Sequence, residues 1–309
     1  MPEIDFYNKA KIIDESLTSG LVNSVVIDLI REKPYTNYFF RRVAGIEWFS
    51  PLYNEGYFMP EKNPCPAPAD QEGLFTIPEW NVLPYLEKVS PQVSIPGNGK
   101  YIDDLLAIIK DVSNYKDSGG QHIDNYRTWY YFTKILLNLP NEKITEEIIN
   151  LIPLWLDSRF STSLPGAEIT GKLLPKFLNS DKPEDWKKVE RITEIITCIK
   201  WIPLPEKQRN IYEKEAEPKT LVEPHWLKKG LEKNIERIGK VCSTGVINKI
   251  AKRILEIFSK EHSHSYDINY NGKDYQITHT LIEDSKHQIS LHSLKYPESW
   301  DGYSRNQIE

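Results

Sequence analysis

Apolar residues in this chain recur at helical spacing in short stretches, and proline opens or ends almost every stretch. A helix tolerates proline in its first turn but not in its interior, so each proline caps the length an element can reach. Leu21, Val22, Val25, Val26, Leu29 and Ile30 predict one apolar helix face, stopped by Pro34. Tyr35 to Ile46 predicts a second short helix. Pro78 opens a third through Trp80, Leu83, Leu86 and Val89. Ile102, Leu105, Leu106, Ile109 and Val112 make the next stripe, and Trp129 to Leu139 another, closed by Pro140. Thr145 is placed to cap a helix with Ile148, Ile149, Ile152, Trp155 and Leu156 inward. Ile169 to Leu178 follows, and Pro183 opens a helix with Trp186, Val189, Ile192, Ile196 and Ile199 on one side. Helices this short, joined by short turns, predict a mainly α fold of antiparallel helix pairs in a solenoid-like or irregular bundle.

Three segments depart from that pattern. Residues 59–76 are rich in proline, carry Cys65 and show no period, which predicts a long loop on the surface. Residues 202–224 set Pro203, Pro205, Pro218 and Pro224 around a charged stretch, which predicts a linker or long loop. Two further helices are expected over 225–242 and 245–260. The period then changes from 3.6 to 2 in SYDINY and KDYQIT, with Asn271-Gly272 between them, the signature of a type I′ β-hairpin. The expected organisation is a helical-repeat domain over 1–201, a linker over 202–224, and a basic helix pair plus C-terminal β-hairpin over 225–309.

The segments WFSPLYNEGYFMP, PEWNVLPYLEKVS, TWYYFTKILLNLP and LIPLWLDS resemble the HEAT-like helical-repeat regions of large bacterial multidomain proteins of the conflict and antiphage-defence type. The matching positions are Trp48, Leu52, Gly56, Phe58, Pro78, Trp80, Tyr85 and Leu86, and the likeness covers about residues 35–200. The resemblance implies a scaffold or sensor region and carries over no catalytic residue.

Composition removes several classes of function. The 309 residues carry a net charge of −5, which argues against a chain that coats nucleic acid along its whole length. Its 3 cysteines are far apart, without the spacing of a disulfide framework or a zinc ribbon, and point to a reducing, cytoplasmic compartment. No apolar run reaches the ~18 residues of a membrane span. The stretch Gly166-Ala-Glu-Ile-Thr-Gly171-Lys172 approaches a phosphate-binding loop, but Leu173 stands where a hydroxyl is needed for Mg²⁺. No nucleophile elbow, CxxC pair or dinucleotide fingerprint occurs. Neither a catalytic set nor a cofactor is expected, and the chain reads as more plausibly a binding scaffold than an enzyme.

Three groups of residues remain as candidate sites. Trp48, Phe49, Tyr57 and Phe58 form an aromatic element beside the proline loop, of the kind that anchors a protein partner or another domain of the same protein. Residues 226–260 hold 9 Lys/Arg against 3 Glu, a net of +6 in a remainder of −11. Lys228, Lys229, Lys233, Arg237, Lys249, Lys252 and Arg253 there suit sequence-blind contact with nucleic-acid phosphates. With Asn271-Gly272 as the turn, His264 opposes His279, and His262 shares their face. Three such imidazoles suit Zn²⁺ with water as fourth ligand, the arrangement of a metal-dependent hydrolase. The leading reading is the protein-binding scaffold, with the nucleic-acid module and the metal site as alternatives.

Overall fold

The computed structural model describes residues 2–70, 74–157, 163–203, 216–222, 224–258, 264–270, 273–282, 286–293 and 303–304. The chain is mainly helical and divides into two units, Met1–Val246 and Ile247–Glu309. The first unit opens with α1 (Pro2–Ser19), α2 (Ser24–Leu29), α3 (Lys33–Phe40) and α4 (Phe49–Asn54). The proline loop pairs β1 (Ala67–Pro68) with β2 (Phe75–Thr76). The middle is built from α5 (Leu83–Val89), α6 (Lys100–Asn114), α7 (Tyr126–Asn138), α8 (Glu146–Ile149) and α9 (Ile152–Leu156). Then come α10 (Ser163–Glu168), a π-helical segment (Ile169–Leu173), α11 (Leu174–Leu178) and α12 (Pro183–Ile196).

Prolines set several of these boundaries, although Pro78 does not open α5, which starts at Leu83 and leaves Trp80 outside the helix. Pro183 occupies the first turn of α12, and α5, α9 and α11 each begin with a proline in the same place. Pro153 divides what reads as one helix after Thr145 into α8 and α9. The stripe Leu21–Ile30 is only partly realised. Asn23 caps α2 by accepting from the Val25 N–H (2.9 Å), so Leu21 and Val22 fall outside the helix and stay exposed, as does Val25. The Gly166–Lys172 stretch, which only approaches a phosphate-binding loop in sequence, is helical, in α10 and the π segment, with the Thr170 hydroxyl donating to the Gly166 carbonyl (2.8 Å).

The N-terminal core is a cluster of rings. Phe39, Phe40, Trp48, Phe49 and Tyr85 are all at most 1% exposed. Trp48 meets Phe39 edge-on at 5.0 Å, and Phe58 stacks on Tyr85 at 6.2 Å. Gly56, at φ +68°, makes the left-handed turn after α4 that carries Tyr57 and Phe58 back onto this cluster. Farther along, Trp155 is fully buried, stacks on Trp129 at 6.3 Å, and donates its indole N–H to Ser113 Oγ (2.9 Å).

The region after α12 differs from a plain linker. β3 (Ile199–Pro203) pairs antiparallel with β4 (Ala216–Thr220). Next, α13 (Pro224–Val241) packs on α10, α11, α12 and the π segment, so it belongs to the first unit rather than to a separate basic helix pair. The unit boundary falls inside α14 (Thr244–Phe258). Beyond it, β5 (His264–Tyr270) and β6 (Lys273–Ile282) pair in the register expected from the sequence, Tyr270 opposite Lys273 and His264 opposite His279. The turn residues Asn271 and Gly272 lie outside the described residues. Two more strands, β7 (Lys286–Ser293) and β8 (Tyr303–Ser304), extend the hairpin to a four-stranded antiparallel sheet.

Candidate functional site

The aromatic element 48–58 is not an exposed partner surface. Trp48 and Phe49 are 0% exposed and Phe58 is 4% exposed, since they pack on other rings of the core, Trp48 on Phe39 and Phe49 on Phe58. Only Tyr57 stands at the edge, half-buried. Its position is informative, since it lines a cleft of ≈ 560 Å³ in the first unit.

Five parts of the chain build that cleft. Ile30 and Arg31 close α2, Thr36 and Phe40 come from α3, Glu55 and Tyr57 follow α4, and Lys62 and Pro64 belong to the proline loop. Glu79, Trp80, Asn81 and Val82 form the far wall. The proline loop is held in place by Asn125, the N-cap of α7. Its side-chain oxygen accepts from the Arg127 N–H (3.1 Å), while its amide donates to Pro64 O (3.0 Å) and Pro78 O (2.9 Å). One fully buried amide therefore pins both ends of a long loop. Thr128 on the next turn donates to Asn63 Oδ1 (2.8 Å), beside the same wall.

Charges of both signs rim the cleft. The Arg31 guanidinium donates to Glu55 (2.9 Å) and pairs with Asp28 (3.1 Å). The Glu79 carboxylate accepts from the Tyr131 hydroxyl (3.0 Å). Lys62 Nζ lies 5.0 Å from the Tyr57 ring centroid, a cation–π contact. Burial, with Glu55 nearby, pushes the Tyr57 hydroxyl up to about 12 against the opposing pull of Arg31, so it remains a neutral donor at physiological pH. Phe40 meets Tyr57 edge-on at 5.5 Å and fixes the ring. Such an arrangement can bind a ligand with apolar and polar parts.

A second groove, ≈ 380 Å³, runs along α12. Two of its ions are held by neighbouring polar groups. Arg191 donates to Asn150 Oδ1 (2.8 Å), and Glu190 accepts the Ser243 N–H (2.5 Å). Deeper still, Lys188 donates to Asp185 (2.8 Å) and Asn141 O (2.6 Å), and Lys176 caps the end of α7 at Leu137 O (3.0 Å) and Leu139 O (2.6 Å). These contacts tie α11 to the end of α7 and α12 to the turn that follows it.

The basic residues are divided between the units. On α13, Lys229, Lys233, Arg237 and Lys240 are exposed, but Glu232 and Glu236 are exposed beside them and dilute the field. Arg237 also donates to Asn179 Oδ1 (2.8 Å). Lys249 and Lys252 are exposed on α14, in the second unit. Lys228 and Arg253 lie on α13 and α14 respectively. Of the proposed metal ligands, His264 and His279 face each other across β5 and β6, while His262 lies outside the described residues. Among the described residues, no group of three His, Cys, Asp or Glu is placed to hold a metal ion.

Of the cleft residues, sequence reasoning singled out Tyr57, and it picked Trp80 only as a core residue. Arg31, Lys62 and Glu79 carry no local signal, since each is an ordinary charged residue until the fold brings it to the others. No protein-family model, curated protein or solved structure matches the chain. No described helix is long and apolar enough to cross a membrane.

Proposed function

We propose that this chain is a helical recognition scaffold that holds a segment of a protein partner, or of the remainder of a larger bacterial protein, in the Arg31–Trp80 cleft. The observation that carries this reading is that the cleft is preformed. Its walls come from five parts of the chain, locked by buried rings on one side and by the Asn125 amide on the other. A site that is already ordered loses little entropy when it binds. The resemblance of residues 35–200 to repeat regions of conflict and antiphage systems sets the biological context, and the three thiols favour the cytoplasm.

The test is site-specific photo-crosslinking in bacterial cells from position 81, on the cleft rim, against position 7, on the exposed face of α1. The captured protein is then purified and the complex rebuilt from its components. A one-to-one complex crosslinked from position 81 and not from position 7 supports the scaffold. Equal crosslinking from both positions, or no complex on reconstitution, refutes it.

A second reading rests on the exposed Lys229, Lys233, Arg237 and Lys240 of α13, which would contact nucleic-acid phosphates without reading sequence.

A further inference from the structure

Most polar groups in the cleft already have partners. Arg31 is committed to Asp28 and Glu55, the Thr36 hydroxyl donates to Ile30 O (2.5 Å), and the Asn81 amide donates to Asn37 Oδ1 (2.5 Å). Of the two carboxylates lining the cleft, Glu55 accepts from Arg31 and Glu79 from the Tyr131 hydroxyl. Three donors are left over. Lys62 Nζ has the Tyr57 ring but no carboxylate in ion-pair range among the described residues. The Tyr57 hydroxyl has no acceptor there either.

The third donor is the indole N–H of Trp80. The side chain is 5% exposed, yet its N–H has no acceptor among the described residues. The Trp48 indole N–H is also unpartnered but is sealed from solvent within the core, whereas Trp80 lines the cleft. A buried aromatic that lines a cleft with its one polar atom unpaired is a site for an acceptor from outside.

We infer that the segment held by the cleft presents a carboxylate to Lys62, Tyr57 and Trp80, so that the partner is an acidic chain with apolar residues interspersed. This rests on the reading of the cleft as a protein-recognition site. The cleft's own carboxylates have donors, and its Lys62 has no counterion among the described residues. Phe40, Tyr57 and Trp80 offer ring surface next to those donors. Hydrogen bonds to a charged group lose roughly ten- to a hundredfold in affinity when the donor is removed.

The experiment titrates the full chain with a blocked hexapeptide of alternating leucine and glutamate, followed by calorimetry at low salt. Its glutamine and lysine counterparts are titrated in parallel. The expected result is saturable one-to-one binding of the glutamate peptide, weakened about tenfold or more by Lys62→Met, weakened by Tyr57→Phe, and weakened by salt. Lys100→Met should bind like wild type, because the Lys100 ammonium sits over Tyr101 and not in the cleft. Thermal melts establish that each variant is folded. Equal binding of the glutamine or lysine peptide, or an unchanged affinity in Lys62→Met, overturns the inference. If no glutamate peptide binds while the rebuilt partner complex still crosslinks from position 81, the acidic assignment fails and the scaffold reading survives. If neither occurs, both fail.

Discussion

Asn125→Asp separates two roles that one side chain performs. The carboxylate can still accept from the Arg127 N–H and cap α7, where a negative charge is favoured. It cannot donate to the Pro64 and Pro78 carbonyls, which sit 3.0 and 2.9 Å from the present amide. Leaving a buried polar group unpaired costs about 1–3 kcal/mol, so two carbonyls amount to about 2–6 kcal/mol. For a unit of this size each kcal/mol lowers Tm by about 2–4 °C. The loss also depends on pH. A buried carboxylate facing two carbonyl oxygens has its native pKa raised above the unfolded value of ~3.9, since only the protonated acid can donate. Stability is therefore fuller below ~4 and falls as pH rises through the native pKa. The variant should lie closer to wild type at pH 5 than at pH 8, and protease should cut residues 59–76 faster at pH 8. Asn125→Ala, which also removes the cap, should be destabilised without that pH dependence. A variant Tm within about 2 °C of wild type at pH 8, with unchanged loop cleavage, would refute the clamp.

Other consequences follow from single contacts. Gly230→Ala should destabilise although alanine favours helix by ~1 kcal/mol, because an added Cβ would lie 2.8 Å from Thr170 Cβ and 3.2 Å from Thr170 O; a raised Tm in a thermal melt would contradict the close approach of α13 to the π segment. Trp155→Ala should cost about 3–5 kcal/mol by loss of a fully buried ring, read as a lower melting temperature. Asp185 is 2% exposed; burial acts to raise its pKa, but hydrogen bonds from Lys188, Ser180 and Asn141 outweigh it and hold the carboxyl below its ordinary value. Its contribution is present above the unfolded-state pKa of ~3.9 and is lost as pH falls through the lower native value, so Asp185→Asn should be weaker than wild type at pH 7 by up to about 3–5 kcal/mol and converge on it in acid, by denaturant titration at each pH. Reversing Lys229, Lys233 and Lys240 to glutamate should abolish any mobility shift of generic DNA or RNA at ~50 mM salt; a shift unchanged by the reversal would rule out α13 as the contact.

Local order in this protein is written in neighbouring residues. Apolar spacing locates α5, α7, α11 and α12, and Pro183 marks the start of α12, because the interactions that make a helix span three or four positions. The β5–β6 register follows from the Asn-Gly pair and period-2 alternation for the same reason. Burial of Trp48, Phe49 and Phe58 was not legible, since an aromatic run reads alike whether a core or a partner covers it. Tyr57 differs from Phe58 by one position, and only the turn at Gly56 decides which ring enters the core and which edges the cleft. Placement of α13 on the helical body depends on Gly230 meeting Thr170, a pairing between residues that share no local pattern. The cleft itself joins Arg31, Tyr57, Lys62 and Trp80 through an amide at position 125, more than 60 residues from the loop carbonyl at Pro64. Contacts at that separation leave no periodic trace, so the composition of the site was in the sequence while its assembly came only from the tertiary structure.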